Sequence, residues 1–408
     1  MAKPVDSKPV DVVVVGAGLI GLGIAWQAAV RGLQVTVLDP APGTGAGQAA
    51  AGMLAAVTEL HYGERALLEL NLASAARFGP WSQQLRELTG HDIGYRECGT
   101  VVAAWDGADL AALRDLQGFG RLLGLNPELL DARQLRRLEP GLAPGLPGGL
   151  LAAGDHQVEP VRFHAALLAA AAGAGVRLVR ARAQAAVLSG ERVRGVRLGT
   201  GDVIGCAALV LASGAWIRDL AGLPASVLAP VRPVKGQTLH LRGGPGGLLR
   251  HVLRGSVRGS AVYLVPRDDG RIVLGASSEE TGFETGVRAG AVYDLLRDAQ
   301  ALLPQVGELQ LERIATGLRP GTPDNAPIIG PSEVPGLIIA GGHYRNGVLL
   351  TPVTAEGVAR ILADDVVPEH LRAFQPQRFR TLTLTPTPTP TPGAGVPAPI
   401  RPQEQAWN

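Results

Sequence analysis

The sequence predicts an α/β fold: a parallel sheet opened by a βαβ unit, followed by a second region rich in period-two strands. Three observations carry this. Four consecutive valines, Val12 to Val15, precede closely spaced glycines, an apolar helix and a short second strand. Further along, apolar alternation of period two recurs between Gly and Asp turns, as in antiparallel strands. At 408 residues, with 46% hydrophobic and 18% charged side chains, the chain can hold two or three closely joined domains with large cores. Aromatics are only 4%, so Ala, Leu and Val must supply the packing.

The first unit is "DVVVVGAGLIGLGIAWQAAVRGLQVTVLD", Asp11 to Asp39. The valine run suits a strand buried on both faces. The glycines give a tight turn, the helix runs to Val30 and stops at Gly32, and "LQVTVLD" is the second strand. Leu67 to Leu88 and Leu110 to Leu123 have helical spacing, and Val161 to Ala174 is an Ala-rich helix followed by the strand "GVRLVRARAQAAVL". "RVRGVRLGTGDVIGCAALVLASGAW" reads as a meander ending in a buried strand at Ala208 to Ala212. Period-two strands fill Gln237 to Ser277, with a DDG turn in "AVYLVPRDDGRIVLGAS", and a helix follows at Ala289 to Leu303. From Thr381 the chain becomes a Thr/Pro alternation that forms neither helix nor central strand, so 381–408 is expected to be a disordered tail.

Thirty-eight basic against 36 acidic side chains leave a formal charge of +2 with no basic stripe, so no nucleic-acid partner is expected. Val10 to Val30 is apolar enough to suggest a leader or a membrane helix, but Asp11, Gln27 and four glycines fit neither, and no membrane segment is expected. Cys98 and Cys206 are too few and too far apart for a metal motif, no metal is expected, and a reducing cytoplasm is the default location.

Gly16, Gly18 and Gly21 form G-x-G-x-x-G directly between strand and helix. The first glycine permits the turn, the second lets backbone approach a pyrophosphate, and the third allows close packing, while the helix N-terminus faces phosphate charge. Asp39 ends the second strand, where an acid binds ribose hydroxyls and repels a 2′-phosphate. NADP is thereby disfavoured; NAD and FAD both remain. Two distant stretches favour FAD: "GQAAAGMLAAV", Gly47 to Val57, whose small residues let backbone pass along a flat ring system, and "VLASGAW", with Gly214 after a buried strand.

Five further motifs, "AAAGMLAA", "PVKGQ", "YLVPRDDGRIVLGASSEETGF", "ATGLRPGTPDNAPIIG" and "GGHYRNGVLLTP", occur in the order in which they stand in the D-amino-acid oxidase superfamily of flavoproteins. The chain resembles that family from Asp11 to about Phe379, and within it the glycine oxidases of thiamine biosynthesis. The resemblance implies a D-amino-acid oxidase-like fold: a Rossmann-like FAD-binding domain in three segments (10–90, 151–230 and 313–380) and an antiparallel-sheet substrate domain in two (91–150 and 231–312). It implies non-covalent FAD held by Gly16, Gly18, Leu19, Ile20, Gly21, Asp39, Ala46, Gly47, Ala51, Gly52 and Met53, by the backbone at Gln184, and by His343, Tyr344, Arg345, Asn346, Gly347, Val348 and Leu349. It also implies a substrate carboxylate gripped by Arg319, with Tyr263 beside it and Arg345 at the pocket.

Two departures bear on substrate size: Ser278 stands where some glycine oxidases carry methionine, and Ala261 where some carry histidine. The implied reaction is oxidation of glycine or another small amine to an imine, hydrolysed to a 2-oxo acid, with oxygen giving hydrogen peroxide. Hydride transfer from the substrate carbon to the flavin needs no side-chain base, so no catalytic residue is assigned. A flavin dehydrogenase passing electrons to another acceptor, and a non-catalytic flavin-binding subunit, are the competing readings. A homotetramer is implied by the resemblance alone.

Overall fold

The computed structural model describes residues 9–383 except 228, 245 and 246. Two eight-stranded sheets organise them, and the chain passes between the sheets repeatedly. The first has the spatial order Ile328–Pro331, Leu337–Gly341, Val203–Leu211, Val10–Val15, Val35–Leu38, Arg177–Val179, with Arg192–Leu198 and Ala183–Ser189 appended antiparallel beside Val203–Leu211. The five consecutive strands from Leu337–Gly341 to the edge strand Arg177–Val179 are parallel, and Ile328–Pro331 closes the other edge antiparallel.

Alternation along the valine run explains why this sheet is covered on both sides. Val12 and Val14 pack into a cluster with the helices Leu19–Val30, Pro160–Gly173 and Thr351–Asp364. Val13 and Val15 enter a second cluster beneath the antiparallel meander. Cys206 lies in that second cluster and Cys98 is half-buried elsewhere; both thiols are free.

The second sheet has the order Gln310–Gly321, Arg232–Arg242, Arg271–Gly275, Ser260–Pro266, Val252–Val257, Thr100–Ala104, Gly148–Ala152, Glu128–Asp131. Every neighbouring pair is antiparallel except Val252–Val257 with Thr100–Ala104. Helix Ala289–Leu302 covers one face through Leu295, Ala299 and Leu302. The opposite face carries Thr238, whose hydroxyl donates to Ala49 O at 3.1 Å and joins this sheet to the loop after the first βαβ unit.

Three expectations need adjustment. The helical stretch Leu67 to Leu88 is two helices, Arg65–Ala75 and Phe78–Thr89, because Pro80 lacks an N–H and its ring would meet the carbonyl of Ala76 in a continuous helix. The single strand expected in "GVRLVRARAQAAVL" is two: Arg177–Val179 joins the parallel sheet and Ala183–Ser189 the meander. The boundaries drawn at 150 and 312 fall inside the strands Gly148–Ala152 and Gln310–Gly321, both of which belong wholly to the second sheet. Apart from 381–383, which finish a short 3-10 turn, the expected Thr/Pro tail lies outside the described residues.

Candidate active site

A cavity of about 450 Å³ opens where the parallel strands end, at Val15, Leu38, Ala212 and Gly341, and extends to the second sheet at Gly236, Tyr263 and Arg319. Carboxyl ends of parallel strands are where α/β sheets bind ligands, because adjacent connections diverge there. Of the residues expected to hold a cofactor, Gly16, Gly18, Leu19, Ile20, Asp39, Ala46, Gly47, Ala51, Gly52, Met53 and the run His343 to Val348 line it. Gly21, Gln184 and Leu349 do not. Gly21 instead packs so tightly that a Cβ would be driven into the Gly16 carbonyl. Gln184 is exposed, its carbonyl accepts from Ala221 N at 3.0 Å, and its neighbours Arg182 and Ala183 line the cavity. Leu349 is buried, with its carbonyl accepting from Ser74 Oγ at 2.6 Å.

The dinucleotide end fits an anionic group. Gly18 caps helix Leu19–Val30 without any side-chain hydrogen bond, no acid occupies the first turn, and a Cβ at Gly18 would meet nothing within 4 Å. The helix N-terminus therefore keeps donors and positive dipole for a ligand. Asp39 is fixed by Ala17 N to Oδ2 at 2.7 Å and Ala41 N to Oδ1 at 2.8 Å, each oxygen retaining capacity for a hydroxyl donor. His164 Nε2 lies 2.8 Å from Ala17 O and buttresses the turn. Farther along, the buried Arg267 guanidinium contacts no carboxylate among the described residues. It donates to Ala51 O at 2.6 Å and to Gln157 Oε1 at 2.5 Å, bracing the small-residue segment that lines the cavity. Burial pushes its pKa down to about 10, which leaves it charged. These features fit FAD: a capless helix and acid for pyrophosphate and ribose, then a backbone channel leading to a polar end.

At that polar end Arg319 and Tyr263 meet. Arg319 lies on the strand Gln310–Gly321 with its guanidinium flat against Gly236, where a Cβ would stand about 2.5 Å from it, and its Nη1 donates to Ser277 O at 3.0 Å. Tyr263 stacks over Gly275 in the adjacent strand, close enough to Arg319 to feel its charge. Burial raises the Tyr263 pKa against the opposing charges of Arg319 and Arg254, so the phenol stays protonated and can donate to a ligand oxygen.

Arg345 also lines this end, half-exposed, but it already has partners: Nε is 3.5 Å from Glu59 Oε2 and Nη2 is 3.0 Å from His61 Nε2, with the guanidinium 5.3 Å from the Tyr344 ring centre. Glu59 is shared with Arg254, whose Nη2 is 2.5 Å from Oε1. Burial opposes ionisation of Glu59, but Arg254 and Arg345 outweigh it and hold its pKa below the usual value. Asp155 fixes this loop by accepting from Val57 N, Thr58 N and Thr58 Oγ1. Sequence reasoning missed Glu59 and Arg254; they are remote from one another in the chain, and neither stands in a motif of known spacing. Ser278 and Ala261, the two departures, are both exposed and do not line the cavity.

His343 is only 3% exposed, and its Nε2 lies 3.1 Å from Thr354 Oγ1. Burial pushes its pKa from 6.5 down to about 3, so it is neutral at physiological pH. A histidine held neutral by the fold contributes full stability above its unfolded pKa and loses it as pH falls from about 6.5 toward 3. Replacing His343 with Asn should remove roughly 2 kcal/mol of the stability lost between pH 7 and pH 5, measured by urea unfolding. His240, lowered to about 4 chiefly by burial, supplies acid sensitivity of the same sign that this variant should retain.

Comparison with known proteins agrees with this geometry. Residues 11–361 match the family described as FAD dependent oxidoreductase (DAO). The bifunctional protein ThiO/ThiG of Synechocystis sp. is 36% identical over 91% of the chain, which covers 54% of that protein. The chain thus spans about half the length of such bifunctional relatives. A glycine oxidase of Geobacillus kaustophilus is 34% identical over 89% of the chain and 94% of its own length. The crystal structure of glycine oxidase from that organism superposes with a TM-score of 0.85 at 33% identity, covering 91% of this chain and 99% of the other. With the glycine turn, the cavity and a family match across most of its length, the chain belongs to the FAD dependent oxidoreductase family.

Proposed function

We propose that the protein is a glycine oxidase: an FAD-dependent enzyme that oxidatively deaminates glycine and other small amines such as sarcosine and small D-amino acids. The observation that carries this reading is the Arg319 and Tyr263 pair at the end of the cavity away from the glycine turn. A planar guanidinium suits a carboxylate, and anchoring one there would set the substrate α-carbon against the ring-binding part of the channel. When bound, FAD supplies the electron sink for oxidation of the carbon–nitrogen bond, with oxygen as final acceptor giving hydrogen peroxide. Glu59 is committed to two arginines and His343 is neutral and buried, so the substrate amine must arrive deprotonated.

With glycine the imine product is iminoacetate, which hydrolyses to glyoxylate and ammonia. The names of the ThiO/ThiG relatives support a place in thiamine biosynthesis, where that imine would serve the thiazole moiety. We read the first sheet and its helices as the FAD-binding domain and the second sheet as the substrate domain. Non-covalent binding is supported by the positions of Cys98 and Cys206, both outside the cavity lining. Among the described residues no helix is long and apolar enough to cross a membrane. A cytoplasmic location is read from cysteine usage alone, two thiols and both of them free. The family resemblance extends the reading to a homotetramer.

The test is peroxide formation in air with glycine, sarcosine, D-alanine and D-proline. Glycine should yield peroxide, ammonia and glyoxylate, and kcat/KM should rise with pH until the substrate amine is deprotonated. Turnover that requires an added electron acceptor would instead establish a dehydrogenase. A flavin that no amine reduces would establish a binding subunit.

A further inference from the structure

Of the motif "PVKGQ" only Gly236 has a part in the account so far, yet the whole strand runs beside the one that carries the carboxylate-binding arginine. Strand Arg232–Arg242 pairs with Gln310–Gly321 so that Val234 faces Arg319 in register. On its other side the strand is followed by residues 275–279: Ser277 N donates to Gln237 O at 3.3 Å, and Lys235 and Glu279 exchange main-chain bonds of 2.8 and 2.9 Å.

The side chains here form one connected network. Lys235 is fully buried; its Nζ is 3.0 Å from Glu279 Oε2 and donates to Gly286 O at 2.9 Å. Glu279 Oε1 accepts from Ser277 Oγ at 2.7 Å and from Gln237 Nε2 at 2.6 Å. Ser277 Oγ in turn accepts from Gln237 N at 2.9 Å, and the carbonyl of the same serine receives Arg319 Nη1 at 3.0 Å. Arg288 adds its N–H to Gln237 Oε1 at 3.0 Å.

A buried lysine–carboxylate pair adds little net stability, because desolvation offsets its Coulomb attraction. What this pair does achieve is geometric. It fastens the segment carrying Ser277 to the strand, so the Ser277 carbonyl has one orientation and Arg319 Nη1 has one acceptor. With the guanidinium already flat on Gly236, Arg319 is held in a single arrangement at the cavity it lines. We propose that Ser277 and Glu279, pegged by Lys235, are positioning residues that orient Arg319 for the substrate carboxylate. This rests on Arg319 being the carboxylate anchor.

The experiment uses the FAD-loaded enzyme and glycolate, a glycine isostere without an amine to oxidise, followed through the flavin absorption band. Ser277→Ala should weaken glycolate binding about fivefold to tenfold and raise the glycine KM alike, with kcat, flavin content and thermal midpoint close to those of the parent. Ser277→Thr restores the hydroxyl and should restore binding. Glu279→Gln should weaken glycolate in the same direction in whatever fraction remains folded. Parental glycolate affinity in both Ser277→Ala and Glu279→Gln, with Arg319→Ala impaired, would overturn the positioning role alone. Parental affinity in Arg319→Ala would overturn the anchor and this inference together.

Discussion

Replacing Arg319 with Ala should raise the KM for glycine by about 100-fold or more, the expected cost of removing a charge-assisted bidentate partner from a desolvated site. The bound flavin should be retained, because the side chain lies at the end of the cavity away from the glycine turn and Asp39. Arg319→Lys should recover little: an ammonium cannot donate through two parallel N–H bonds while also reaching Ser277 O. The same truncation at Arg345 should cost much less, about tenfold at most, because that guanidinium is half-exposed and already shared with Glu59 and His61. Steady-state kinetics on the three variants decides the ranking. Equal effects at the two arginines would show that both bind the carboxylate.

The second large effect separates two glycines that the motif treats alike. Gly21→Ala forces a Cβ into the Gly16 carbonyl, so it should lower the thermal midpoint of the protein with or without added FAD. Gly18→Ala meets no protein atom, and its φ of −79° suits alanine, so the midpoint without FAD should be unchanged or slightly higher. Its methyl group enters the space left for the pyrophosphate, and FAD affinity should fall by about tenfold or more in a fluorescence titration. A Gly18→Ala protein that binds FAD like the parent would move the phosphate site away from this turn.

How much of this could be read from the sequence depends on how local the physics is. The strand, glycine turn, helix and Asp39 lie within thirty consecutive positions, and each element limits the next, so both the fold and the dinucleotide end were legible. Pro80 was visible too, but its breaking effect was masked by helical spacing on both sides of it. The two strands hidden in "GVRLVRARAQAAVL" share one apolar pattern and differ only in which neighbours they pair with, which local sequence does not encode.

Arg319 and Tyr263 were reached through family motifs rather than periodicity. Glu59 with Arg254, and Lys235 with Glu279, depend on loop closures across long separations that no spacing rule covers. Arg345 illustrates the limit. The family motif places it at the ligand pocket, whereas the fold also brings Glu59 and His61 to it.

The central claim is that a small amino acid, anchored by its carboxylate, delivers its electrons to a flavin in this cavity. Anaerobic mixing of the FAD-loaded protein with glycine tests it most directly. The account predicts bleaching of the oxidised flavin band at a rate that saturates with glycine, followed by full recovery and one peroxide per flavin when oxygen is admitted. A flavin band unchanged by glycine, sarcosine, D-alanine and D-proline would contradict it.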